Sequence, residues 1–135
     1  MSKSAIYIVN NTPQNVADGG TINLGTIIRR FGQCLNLAGT GIQLLSPGYY
    51  DVDASITIEP TTAAEITVTM YKDGVAVPGA IATDVSADAN DPVNLSISSL
   101  VRKFCQCADG IESLSFQISG AAASVTNIAI VVEKI

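Results

Sequence analysis

Short runs in which apolar and polar residues alternate recur along the chain between Gly, Pro, Asn and Asp, and the three-to-four spacing of a helix is weak throughout. In Tyr49-Tyr-Asp-Val-Asp-Ala-Ser-Ile-Thr-Ile, one face carries Tyr50, Val52, Ala54, Ile56 and Ile58, and the other carries Tyr49, Asp51, Asp53, Ser55 and Thr57. That is the two-residue period of a half-buried strand. The same pattern predicts strands near Ala5–Asn10, Thr21–Leu24, Ile42–Leu45, Gly48–Ile58, Glu65–Lys72, Val75–Val77, Asn94–Leu100, Glu112–Ser119 and Thr126–Glu133. Their apolar parity places Tyr50, Val52, Ile56, Ile66, Val68, Leu95, Ile97, Leu114, Phe116 and Ile118 in the core. Asp73-Gly74, between two β-rich runs, is the best hairpin signal, because a tight hairpin turn needs the positive φ that Gly tolerates. Pro47-Gly48 and Asp109-Gly110 mark further corners. The reading is an all-β sandwich or barrel.

The last predicted strand departs from simple alternation. Ile128, Ile130 and Val132 fall on one side of it and Ala129 and Val131 on the other, and Ala5-Ile-Tyr-Ile-Val behaves similarly. A strand apolar on both sides needs two layers of cover. Either neighbouring chains supply the second layer, which makes the protein an oligomer, or a loop of the same subunit does. The first reading puts Ile6, Ile8, Ile128, Ile130, Val131 and Val132 at a subunit interface.

Composition supports cover by protein. Of the 135 residues 47% are apolar and only 14% charged, against roughly a quarter charged in ordinary soluble domains. The length suits one domain spanning 1–135, with residues 1–20 as an N-terminal strand and linker, centred on Asn10-Asn-Thr-Pro-Gln-Asn, that could serve for attachment. The longest uncharged run, Ser113 to Val132, is long enough to cross a bilayer, but its spaced Ser, Gln, Thr and Asn residues and the turn at Gly120 fit two strands instead, so membrane insertion is not expected. The first ten residues lack the apolar stretch of a signal peptide, so export by that route is not expected. A net charge of −5, with Arg29-Arg30 and Arg102-Lys103 as the basic doublets, argues against a grip on nucleic acid.

Catalytic chemistry finds little support. Histidine is absent, which removes the commonest general base and the usual partner of a Ser or Cys nucleophile. Asp51 and Asp53 share a strand face about 6.5–7 Å apart, and such a pair can serve glycoside hydrolysis. Tryptophan to line a sugar cleft is absent, so solvated carboxylates or partners for Arg29 and Arg30 are the better reading, and no enzyme is expected. Cys34, Cys105 and Cys107 could ligate zinc across subunits, but one residue between paired cysteines is shorter than structural zinc sites use, and reduced, buried thiols are the plainer account. Asp84, Ser86, Asp88 and Asn90 are spaced faintly like a calcium loop without its turn glycine or closing glutamate. No cofactor is expected.

Several segments together resemble a known family. Pro47-Gly48-Tyr49-Tyr50-Asp51-Val52 resembles the Gly-x-Tyr-x-Val/Phe strand of tumour-necrosis-factor-like and complement globular heads, and Met70-Tyr71-Lys72-Asp73-Gly74 resembles the strand that ends in their Lys-Asn/Asp-Gly hairpin. Asn94 to Ile97, Asp109 through Phe116 and Val125 to Ile130 follow in that family's order. The resemblance implies a ten-stranded, two-sheet antiparallel jelly-roll sandwich that assembles as a homotrimer with its first and last strands near the axis. Similar heads crown stalks on bacterial spore coats, bacterial surfaces and bacteriophage particles. Cys-x-Cys and Arg-Arg-Phe-Gly in a short acidic chain also resemble small proteins of phages infecting Gram-positive bacteria. The function expected by this analogy is a trimeric, non-catalytic capsid decoration or head-fibre protein on a virion, with a capsid protein as partner. The alternative is a receptor- or glycan-binding head of a fibre or bacterial surface protein, with recognition in the loops Thr12–Gly20, Pro60–Ala64 and Val77–Pro92.

Overall fold

In a computed structural model, residues 3–103 and 112–135 are described. They form β1 (Ala5–Asn10), β2 (Gln14–Val16), β3 (Thr26–Phe31), β4 (Leu35–Ala38), β5 (Gly41–Leu44), β6 (Gly48–Pro60), β7 (Ala64–Lys72), β8 (Val75–Ser86), β9 (Val93–Lys103), β10 (Glu112–Ser119) and β11 (Ala123–Lys134). One sheet has the order β3-β1-β11-β6-β9, with β2 also paired to β11, and the other has the order β4-β5-β10-β7-β8. Every pairing is antiparallel, and β8 lies against β9 where the two sheets meet along one side. This is a two-sheet jelly-roll sandwich.

Alternation builds the core. Along β6 every second residue from Tyr50 to Ile58 is buried, and these meet Ile66, Val68, Leu114, Phe116 and Ile118 from the opposite sheet and Leu95 and Ile97 from β9. Asp73 and Gly74 form the two-residue link between Lys72 and Val75, which pair directly. Their φ values of 51° and 82° are the two positive angles of a type I′ turn, whose twist matches that of the strands it joins.

Ile6, Ile8, Ile128, Ile130 and Val132, placed by the sequence reading at a subunit contact, are side chains of the chain's own core with no more than 1% exposure. Ile8 stands opposite Ile130 and Ile6 opposite Val132 where β1 and β11 pair at the centre of the first sheet. Both strands are indeed apolar on two sides, but their isoleucines turn inward while Tyr7 and Val131 turn outward. Of the six residues in that set, Val131 is the one that faces out.

Other expectations change as well. Thr21–Leu24 is not a strand: Thr21 makes a single bridge to Gln117, while Ile22 and Leu24 plug the core. The strand lies instead at Thr26–Phe31, and β2 and β4 were also unforeseen. The linker expected around Asn10–Asn15 is woven into the first sheet through β1 and β2, with Gln14 bonded through its side chain to both the amide and the carbonyl of Asn23. Much of Val77–Pro92, read as a loop, is strand, because β8 runs on to Ser86.

Candidate subunit interface

Register sets the outward face of the first sheet row by row. One row crosses β3, β1, β11, β6 and β9 as Phe31, Ala5, Glu133, Asp51 and Leu100. The next reads Arg29, Tyr7, Val131, Asp53 and Ser98, and a third reads Thr26, Val9, Ala129, Ser55 and Ser96. The face therefore has two halves. Over β3, β1 and β11 it is mainly apolar, with Phe31 59% and Val131 42% exposed around a hollow of about 210 Å³. Over β6 and β9 it is acidic and hydroxylated, and Asn94 Nδ2 donates to Ser55 Oγ and Thr57 Oγ1, both at 3.1 Å.

A second apolar surface lies along the β8–β9 edge. Tyr71 pairs with Ala76 and Thr69 with Ile81, so Met70 alone opposes the four residues Val77–Ala80. The strand bulges there, with Pro78 tolerated because β8 is an edge strand and needs no outward amide. Val75 on this edge is 70% exposed and Leu100 on β9 is 57% exposed. Between them runs a groove of about 270 Å³ lined by Lys72, Val75, Ala76, Val77, Pro78, Leu100, Val101 and Arg102. Lys72 Nζ donates to the Arg102 carbonyl at 2.8 Å and meets Glu112 at 3.4 Å, while the Arg102 guanidinium sits 5.7 Å from the Tyr49 ring centre.

Among solved structures, the chain matches murine APRIL with a TM-score of 0.76 at 11% identity, covering 98% of this chain and 99% of that one. It matches the PRD1 vertex protein at 0.64 and 16% identity, covering 98% and 96%, and the globular domain of zebrafish complement 1qA at 0.68 and 8% identity, also covering 98% and 96%. The fold is the tumour-necrosis-factor-like jelly roll. At these identities the likeness is one of fold. No protein-family model and no curated protein matches the sequence.

On this jelly roll the residues singled out for chemistry stand apart. Asp51 and Asp53 lie on the outward face of β6, away from the basic doublet. Arg29 shares a row with Asp53 but stands three strands away, about 14 Å, and Arg30 donates to Asn36 Oδ1 at 3.4 Å. Asp84 Oδ1 accepts from the Val85 amide, and Ser86 Oγ lies 2.8 and 2.9 Å from the Asp88 and Asp91 carbonyls, so the calcium-like spacing serves a turn. Among the described residues no three His, Cys, Asp or Glu side chains converge as a metal site, and no helix is long and apolar enough to cross a membrane. Cys105 and Cys107 lie outside the described residues.

Cys34 is buried at the end of the sandwich where the Lys134 side chain lies beside Gly48. Its amide donates to Ser4 Oγ at 3.0 Å. Burial pushes the Cys34 thiol up, but side-chain hydrogen bonds with Ser4 and Ser46 and the charge of Lys134 outweigh it, leaving the thiol below its ordinary value. Burial dominates at Tyr50 and holds its phenol above the usual range, although the hydroxyl donates to the Ser46 carbonyl at 2.6 Å.

Sequence reasoning missed both outward patches except for Val131. Phe31 lay in a run, Thr26 to Phe31 between Gly25 and Gly32, whose β-branched content signals a strand. Leu100 interrupts the polar parity of Ser96, Ser98 and Arg102 on β9, which marks an apolar side chain on a face otherwise suited to water.

Proposed function

We propose that this chain is a homotrimeric, non-catalytic structural protein that decorates the exterior of a bacteriophage particle as a capsid-bound knob or head fibre. The apolar half-face over β3, β1 and β11 carries the reading. On a chain with few charges it leaves Phe31 and Val131 in water next to the half-buried Tyr7 and Val9, and burying such surface stabilises assembly by about 25 cal/mol per Å². The likeness to the PRD1 vertex protein supports a place on a particle. The lack of any histidine supports a role without acid–base catalysis.

The apolar half-face and the apolar β8–β9 edge are different surfaces at different places, so a contact between them is head-to-tail, and a head-to-tail contact that closes makes a ring. Three copies close such a ring, leaving the loops at its ends for the particle. Light scattering on the purified protein should give three times the chain mass. Mixing it with particles that lack it should give saturable attachment at a fixed ratio of copies to capsid sites. A single-chain mass at micromolar concentration, or attachment that never saturates, refutes the proposal.

A further inference from the structure

We infer that Arg102 on the edge of one copy pairs with Glu133 on the face of the next, and that this charge pair limits how far neighbouring copies can slide past one another. The inference rests on the trimeric reading above and goes further by naming a contact that restricts its register. Glu133 stands on the outward face of β11 directly opposite Asp51 on β6. Like charges directly opposite one another on a sheet destabilise it, so this position gains from a cation brought by another molecule. It is bordered by Ala5 and Phe31 in the same row and by Val131 one position along the face, and on its other side it shares a hollow with Lys3 and Lys134 of its own chain, so a cation from another copy arrives across the apolar side.

The β8–β9 edge has that composition. Leu100 and Val75 flank a groove whose rim includes Arg102, and Arg102 points to the same outward side of the sheet as Tyr49, over whose ring it lies. Arg102 belongs to the row next to the one that holds Asp51 and Leu100, so in its own chain it stands one row away from Glu133 and two strands across. In a head-to-tail ring whose axis runs roughly along the strands, equivalent rows of all copies lie at one height. An arginine side chain spans the single row, about 7 Å, that separates it from Glu133 of the next copy. Leu100 then enters the hollow beside Phe31 and Val131, and the charge pair seals its rim. A salt link beside a desolvated apolar anchor selects register and partner more than it adds raw affinity. It therefore excludes rings slid by one row in the direction that carries Arg102 away from Glu133, where two rows, about 14 Å, would separate them.

The test is a charge exchange read by mass. Arg102→Glu and Glu133→Arg should each raise the concentration needed for half assembly by about tenfold or more, and the double exchange should bring it back to within about threefold of the wild type. Urea unfolding of each variant checks that the fold is intact. Should a reversed variant not fold, Arg102→Gln and Glu133→Gln replace it, and the two neutral changes combined must cost less than the sum of each alone. Singles that assemble like the wild type, or a double exchange that fails to recover, overturn the pairing while a trimeric wild type leaves the wider reading standing. A wild type that is a single chain overturns both.

Discussion

Val131 and Ile130 are neighbours on β11 that face opposite ways, and replacing each separates assembly from folding. Ile130 is fully buried, so Ile130→Ala removes core volume and costs about 2–5 kcal/mol. Val131 is 42% exposed, so about two-fifths of the roughly 1.5–3 kcal/mol that full burial of a valine provides remains to be gained on assembly, about 1 kcal/mol per contact. Val131→Asp forfeits that gain and adds an unpaired charge to an apolar contact, at a cost of several kcal/mol more. About 4 kcal/mol at each of three contacts is roughly a thousandfold per contact, enough to leave single chains at micromolar concentration. In the isolated chain the same change sits on a surface and should shift stability by about 0.5–1 kcal/mol. Light scattering and urea unfolding followed by far-UV circular dichroism read the two effects. Val131→Asp should give the mass of one chain with a cooperative transition that no longer depends on protein concentration, whereas the wild-type transition does. Ile130→Ala should remain a trimer with a lower urea midpoint. If Val131→Asp remains a trimer, or loses its cooperative transition, the assignment of the outward face is wrong.

Tyr50→Phe should cost about 1–2 kcal/mol in urea unfolding, because it removes a 2.6 Å hydrogen bond to the buried end of the sandwich. The folded-state value of the Tyr50 phenol is raised, chiefly by burial. Its contribution is therefore intact below pH about 10 and lost as pH climbs through the raised value, and Tyr50→Phe should flatten that alkaline decline. Cys34 has the opposite sign. With its folded value lowered, the stabilisation is present above the ordinary thiol value, about 8.5, and fades as pH falls, so the gap between wild type and Cys34→Ala should widen from pH 6 to about 9. Among the turns, Gly120→Ala should be far worse than Gly74→Ala in thermal unfolding. Both have positive φ, but a methyl at Gly120 collides with the Glu65 carbonyl while one at Gly74 meets open space, leaving only the roughly 1–2 kcal/mol backbone penalty. Equal losses would show that the β10–β11 turn is not held against β7.

Much of the jelly roll could be read from the chain because a strand writes its own burial into every second residue. Tyr50 to Ile58, Ile66 to Met70 and Leu114 to Ile118 alternate without exception, and Asp73-Gly74 names its turn. Where alternation is broken, the reading failed. In Val77–Ala80 three extra residues bulge out of an edge strand, and in β3 Ile27 and Ile28 straddle a register shift, so neither shows a clean period.

Residue type and parity alone make β1 and β11 apolar on both sides. Which side is the interior depends on how the strands pair. Parity is relative until a strand is paired, and the pairing of β11 between β1 and β6 turns Ile128, Ile130 and Val132 toward the opposite sheet, where the larger side chains fill the space between layers and leave Ala129 and Val131 outside. The meeting of Glu133 with Asp51, and the distance of both from Arg29, likewise depend on strand order, a long-range property that no local pattern encodes.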